Sequence, residues 1–148
     1  MVCILVPLAI GGIAGIATAS EIPGWYQALN KPSFNPPDSA FGPVWTVLYI
    51  LMGVSAFLIW NLPASRNRNY ALGLFLIQLI LNFIWSFLFF YFKNLGLAFI
   101  EIALLWITIL IMIYRFYLQN KIAALLNVPY LLWVTFASVL NLSYFLLN

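Results

Sequence analysis

The sequence predicts an all-α membrane protein, a bundle of five transmembrane helices with a long structured loop between helices 1 and 2. Three observations predict it. First, 66% of the 148 residues are hydrophobic and 6% are charged, with a mean hydropathy of +1.06, whereas about a quarter of a soluble domain is charged. Six basic and three acidic residues cannot cover a water-facing surface, so the solvent must be largely lipid. Second, the apolar residues form continuous runs close to the roughly 20 residues that cross a bilayer as a helix, not the short alternating segments of a barrel. Third, the polar and proline-rich residues gather in the breaks between those runs.

The runs place spans at about 2–20, 43–62, 70–92, 95–114 and 122–147, within one membrane domain covering 1–148. The first span has a rival reading as a cleaved signal peptide, since "ATA" at 17–19 resembles a cleavage site. A signal wants basic residues ahead of its apolar core, and Met1, Val2 and Cys3 supply none, so a retained helix is expected. Gly11 and Gly15 in this span have the GxxxG spacing that lets another helix approach closely. The loop after it is stiff and aromatic: "WYQALNKPSFNPPDSAFGPVW", residues 25–45. Its prolines fix φ and remove backbone donors, so it can hold a shape without regular hydrogen bonding. It is expected to form a lid over a cavity, with a helical turn near 25–29 and with Tyr26 and Pro36 bearing on a ligand. An interfacial anchor held by Trp25, Tyr26 and Lys31 is the alternative.

The second, third and fifth spans each carry an aromatic and polar stripe. At ~100° per residue, Gln78, Asn82, Trp85 and Phe89 share a face, as do Tyr130, Trp133, Ala137, Asn141 and Tyr144, and Trp45, Tyr49 and Ala56. Amides within a bilayer should face partners or a cavity rather than lipid. Trp60, near a span end, fits the interfacial aromatic belt. Trp85 and Trp133 share faces with an amide or a small residue, which favours a shared pocket over packing alone. In the fourth span Glu101 is the lone intramembrane acid. A proton relay needs several titratable groups, so a structural role is expected for it, either as a protonated carboxyl or hydrogen-bonded to a neighbouring helix. With five spans, Arg66, Arg68, Arg115 and Lys121 lie on the N-terminal side and Lys31 and Lys93 opposite, which puts the N-terminus in the cytoplasm.

The composition excludes several functions. With no His and only Cys3, neither a zinc site nor a disulfide framework is expected, and the basic residues are too sparse to track nucleic acid. No nucleophile–base pair, carboxylate pair or phosphate-cradling loop appears. The stripes offer flat π surface with a few amide and phenol groups, which suits a flat polycyclic ligand such as a tetrapyrrole or a sterol. Without a His to ligate haem iron, a porphyrin held by stacking is the better fit.

Several blocks resemble the TspO/MBR family of translocator and tryptophan-rich sensory proteins: "PLAIGGIAGIAT" (7–18), "WYQALNKPSFNPP" (25–37), "FGPVWTVLYILMGVS" (41–55), "QLILNFIWSFLFF" (78–90) and "PYLLWVTFASVLN" (129–141). The resemblance implies a five-helix bundle, commonly dimeric, whose cavity opens toward the first connector. It places ligand contacts at Tyr26, Trp45, Tyr49, Asn82, Trp85, Trp133 and Ala137. The implied ligands are porphyrins, sterols and flat synthetic drugs, with no required cofactor, and a lipophilic carrier is a further possibility. Porphyrin breakdown, associated with some members, would draw on Trp45 and Trp133 as catalytic residues. The family's sterol pattern is incomplete here, because "VLNLSYFLLN" (139–148) has Val139 and Tyr144 but no following basic residue.

Overall fold

The structure is a computed structural model and describes residues 2–18 and 22–148; residues 19 and 20 of the first expected span, with Ala19 of the "ATA" sequence, lie outside the described residues. The described residues form helices and connecting turns, with no strand. Helix α1 is Val2–Thr18, and a π turn at Ile22–Tyr26 opens the connector. Then come α2 (Asp38–Trp60), α3 (Arg66–Ser86, prolonged by a π turn at Phe87–Tyr91), α4 (Leu95–Tyr117), α5 (Lys121–Leu125) and α6 (Val128–Leu147). Ala40–Trp60, Arg66–Tyr91, Leu95–Tyr117 and Lys121–Leu147 are long and apolar enough to cross a membrane, and Ile4–Ile16 forms a shorter apolar helix.

Side-chain placement suits lipid as the outer solvent. Ile16, Leu76, Ile80, Leu104 and Leu132 point outward, while Ser55, Gln78, Asn82, Glu101, Asn127 and Asn141 are buried. Internal partners replace for Ser55, Gln78, Asn82, Asn127 and Asn141 the water that the bilayer lacks. The apolar centre is built from Met52 and Ile59 of α2, Leu79 of α3, Leu105, Ile109 and Met112 of α4, and Val134 of α6.

Side-chain caps set several helix starts. Ser65 Oγ accepts from the Arg68 N–H at 3.1 Å, Asn94 Oδ1 from the Leu97 N–H at 2.9 Å, and Asn120 Oδ1 from the Ala123 N–H at 3.1 Å. Between α3 and α4, Lys93 turns the chain with φ 56, in the left-handed region.

Helix α3 begins at Arg66 rather than 70 and α4 runs to Tyr117 rather than 114, and two further differences bear on the site and the bundle. Helix α2 begins at Asp38 rather than 43, with Pro37 outside it at the cap and Pro43 inside it. A proline so near a helix start removes one backbone donor, and the Thr46 hydroxyl donates to the Gly42 carbonyl at 2.8 Å just beyond it. The fifth span is interrupted between α5 and α6. Pro129 has no N–H for the carbonyl one turn back, and Asn127 turns inward, its Nδ2 donating to the Ala123 carbonyl at 3.1 Å and to Ser55 Oγ at 2.5 Å.

The two ends of the bundle are tied differently. At one, Arg68 donates to the carbonyls of Trp60 and Leu62, both at 3.2 Å, and Gln119 donates to the Asn67 carbonyl at 3.2 Å. At the other, the connector is fastened to the end of α6. The Asn30 N–H donates to Asn148 Oδ1 at 3.1 Å, and Asn148 Nδ2 donates back to the Asn30 carbonyl at 3.2 Å.

Candidate functional site

A cavity of about 430 Å³ lies at the connector end of the bundle. Helix α1 contributes Leu8, Gly11, Gly12, Ala14 and Gly15, and α2 contributes Phe41, Gly42, Trp45, Thr46 and Tyr49. Asn82, Trp85 and Ser86 of α3, Phe90 beyond it, and Trp133 and Ala137 of α6 complete the walls, with Tyr26 entering from the connector.

The walls are mostly aromatic faces. Trp45 stacks on Tyr49 with ring centroids 5.6 Å apart and stands perpendicular to Trp133 at 6.4 Å. Phe41 meets Trp133 edge-on at 5.9 Å. The glycines of α1 have distinct effects. A Cβ on Gly11 would fall 2.2 Å from Tyr49 Cε2, so only a glycine lets that ring lie against α1. A Cβ on Gly15 would meet nothing within 4 Å. The close approach anticipated for the GxxxG pair is therefore realised within the chain, at Gly11 against α2.

Polar groups at the back of the cavity form a chain through three helices. The Tyr49 hydroxyl donates to Asn82 Oδ1 at 3.1 Å, Asn82 Nδ2 donates to the Tyr130 hydroxyl at 2.8 Å, and that hydroxyl donates to Gln78 Oε1 at 2.7 Å. A second set fixes the side wall: Trp85 Nε1 donates to Asn141 Oδ1 at 3.0 Å, and Asn141 Nδ2 donates to the Leu95 carbonyl at 2.8 Å. Partners of this kind hold a ring in one rotamer, so the aromatic faces are preorganised. The indole N–H of Trp133 is buried with no partner among the described residues.

The connector packs over this end. The Tyr26 and Tyr144 hydroxyls lie 3.1 Å apart, Tyr144 also pairs with Asn35, and Phe34 meets Phe136 at 6.3 Å. The turn expected near 25–29 is present as the π turn and the helical residues after it.

Of the residues singled out from sequence, Tyr26, Trp45, Tyr49, Asn82, Trp85, Trp133 and Ala137 line the cavity together. Phe89 does not; it is buried behind the wall, stacked on Trp85 at 5.2 Å. Pro36 is half-buried in the connector, away from the lining. Glu101 is buried outside the cavity, and neither carboxyl oxygen has a hydrogen-bond partner among the described residues, so the bond to a neighbouring helix is not made. The described residues hold no group of three or more His, Cys, Asp or Glu placed to hold a metal.

Several lining residues escaped the sequence reading, Thr46 and Ser86 among them because their small hydroxyls did not stand out beside the aromatic stripes. The α1 wall has no polar marker, and its glycines signalled only close packing. Phe41 and Gly42 fell outside the expected span because α2 starts earlier. Phe90 replaces Phe89 because the π turn at Phe87–Tyr91 inserts a residue into the helical repeat and rotates the side chains beyond it.

An apolar helical bundle with an aromatic-walled internal cavity defines a polytopic helical membrane protein. Residues 3–147 match the TspO/MBR family, and the chain belongs to it. It is 41% identical over 145 residues to the tryptophan-rich protein TspO of Archaeoglobus fulgidus, covering 98% of this chain and 94% of that protein. It is 42% identical over 147 residues to the tryptophan-rich protein TspO of Chlorobaculum tepidum, covering 99% and 93%. It is 35% identical over 119 residues to the translocator protein of Homo sapiens, covering 79% and 70%. The chain is thus an integral, multi-pass membrane protein.

Proposed function

We propose that the protein is a membrane receptor or translocator that binds tetrapyrroles and similar flat hydrophobic molecules in the connector-end cavity. The observation that carries this reading is the cavity itself: about 430 Å³, walled by Trp45, Trp85, Trp133, Tyr49 and Phe41, with Asn82 as its buried amide. That volume lies within the ~300–1,000 Å³ typical of small-molecule sites. Flat rings gain from stacked and edge-on contact with such walls, and the indole N–H of Trp133 is a donor with no acceptor among the described residues. Trp45, Tyr49, Asn82, Trp85, Trp133, Ala137 and Tyr26 bear on the ligand. Phe89 supports Trp85 from behind, and Pro36 shapes the connector. The chain works as a homodimer in lipid, with its N-terminus on the cytoplasmic side.

A second reading rests on the Trp45–Trp133 pair, whose perpendicular rings are 6.4 Å apart on the cavity wall. In it, an indole donates an electron to a photoexcited porphyrin, the reduced ring combines with oxygen, and an external one-electron reductant restores the indole. Titration of the purified protein with protoporphyrin, followed by tryptophan fluorescence and then by illumination, separates the two. Quenching with stable porphyrin bands supports binding alone. Band loss that disappears in Trp45→Phe and Trp133→Phe supports the breakdown reading, and band loss that persists in both contradicts it. Absence of quenching at micromolar porphyrin overturns the proposal.

A further inference from the structure

The end of the bundle opposite the cavity carries four cations: Arg66 and Arg68 at the start of α3, Arg115 in the last turn of α4 and Lys121 at the start of α5. Of the three acidic residues, Glu21 belongs to the connector in sequence, Asp38 begins α2 and Glu101 lies within α4, so no acid among the described residues stands at this end. Among the described residues, the connector end has Lys31 and Lys93 together with Asp38. The charge of the molecule is therefore concentrated at one end.

The cations are also placed at a defined depth. Arg115 lies over the Tyr70 ring at 4.7 Å, Arg68 over Trp60 at 5.0 Å and Lys121 over Tyr117 at 5.7 Å. All three rings are about half exposed. Exposed Trp and Tyr settle at headgroup level, so these contacts hold the charges beside lipid phosphates. Helix stability does not account for the cations of α3, since positive charge in a first turn opposes the helix dipole and that turn has no acid. Arg68 has an internal task through the carbonyls of Trp60 and Leu62, whereas Arg66 and Lys121 are exposed and Arg115 is half-buried over Tyr70.

We propose that this end is a docking surface for anionic phospholipid headgroups, formed by Arg66, Arg115 and Lys121 with Tyr70 and Tyr117 as their aromatic bases. Basic residues near an anionic surface each favour it by about five-fold, so the protein selects anionic lipid in the leaflet this end occupies. The inference does not depend on what the cavity binds.

The test uses the intact protein in nanodiscs of equimolar phosphatidylcholine and phosphatidylglycerol, with retained lipids counted by native mass spectrometry. Phosphatidylglycerol is expected to be retained over phosphatidylcholine by about five-fold or more. The preference should fall as salt shortens the screening length, a readout that needs no variant. Arg66→Gln/Arg115→Gln/Lys121→Gln should lose it, Arg66→Lys/Arg115→Lys should keep it, and Lys31→Gln/Lys93→Gln at the other end should leave it unchanged. Equal retention of the two lipids, indifference to salt, an equal loss from the connector-end variant, or an acidic polypeptide retained in place of the lipid would each overturn the assignment.

Discussion

Tyr49 joins three parts of the cavity: its ring lies on Gly11 of α1, stacks on Trp45 and sends its hydroxyl to Asn82 of α3. Gly11 and Gly15 look alike in sequence, yet the first is in contact and the second is open. Gly11→Ala should destabilise the fold by about 1–3 kcal/mol, the usual cost of overpacking against a side chain that cannot yield. Gly15→Ala should be neutral or slightly stabilising, because glycine inside a helix is already unfavourable by roughly 0.5–1 kcal/mol relative to alanine. Thermal unfolding of both variants in one detergent checks the contrast; equal losses would show that Gly11 has no special contact. This distinction was not legible in the sequence, since spacing identifies small residues but not which of them meets a ring.

At the scale of elements, helical periodicity located the stripes of α3 and α6 because a regular helix repeats its faces. It failed where the repeat is broken. The π turn after α3 exchanged Phe89 for Phe90 at the cavity, and Pro129 divided the fifth span although its hydropathy reads as continuous. The break at Lys93 and Asn94 was legible from its polarity, but the left-handed backbone of Lys93 was not. A non-glycine residue there costs about 1–2 kcal/mol. Lys93→Gly should raise the stability of the α3–α4 turn by about 1 kcal/mol through relief of that strain. Hydrogen exchange at residues 92–97 provides the measurement, and faster exchange in the variant would mean that the lysine side chain holds the turn in some other way.

Across the whole molecule, the rules of a soluble fold are inverted: leucine and isoleucine cover the outside, while amides and phenols link the helices within. Composition alone revealed this, because nine charged side chains in 148 residues leave no other solvent for the surface. The sequence could not reveal that the separate stripes converge on one space, which depends on the order in which α1, α2, α3 and α6 surround it. The molecule is polarised, with an aromatic cavity and its tied connector at one end and a cationic rim at the other. The ligand binding proposed above belongs to the first of these ends, and Ala137 is the place to test it. Its small side chain leaves space beside Trp133 in the wall, and it takes no part in the hydrogen-bonded chain from Tyr49 to Gln78. The most direct measurement is the protoporphyrin affinity of the unaltered protein and of Ala137→Phe, with the thermal unfolding of each recorded alongside. The added ring should fill the cavity and weaken binding by at least about tenfold, or 1.4 kcal/mol, with the fold retained. Undiminished affinity in a folded Ala137→Phe protein would contradict it and place the ligand elsewhere.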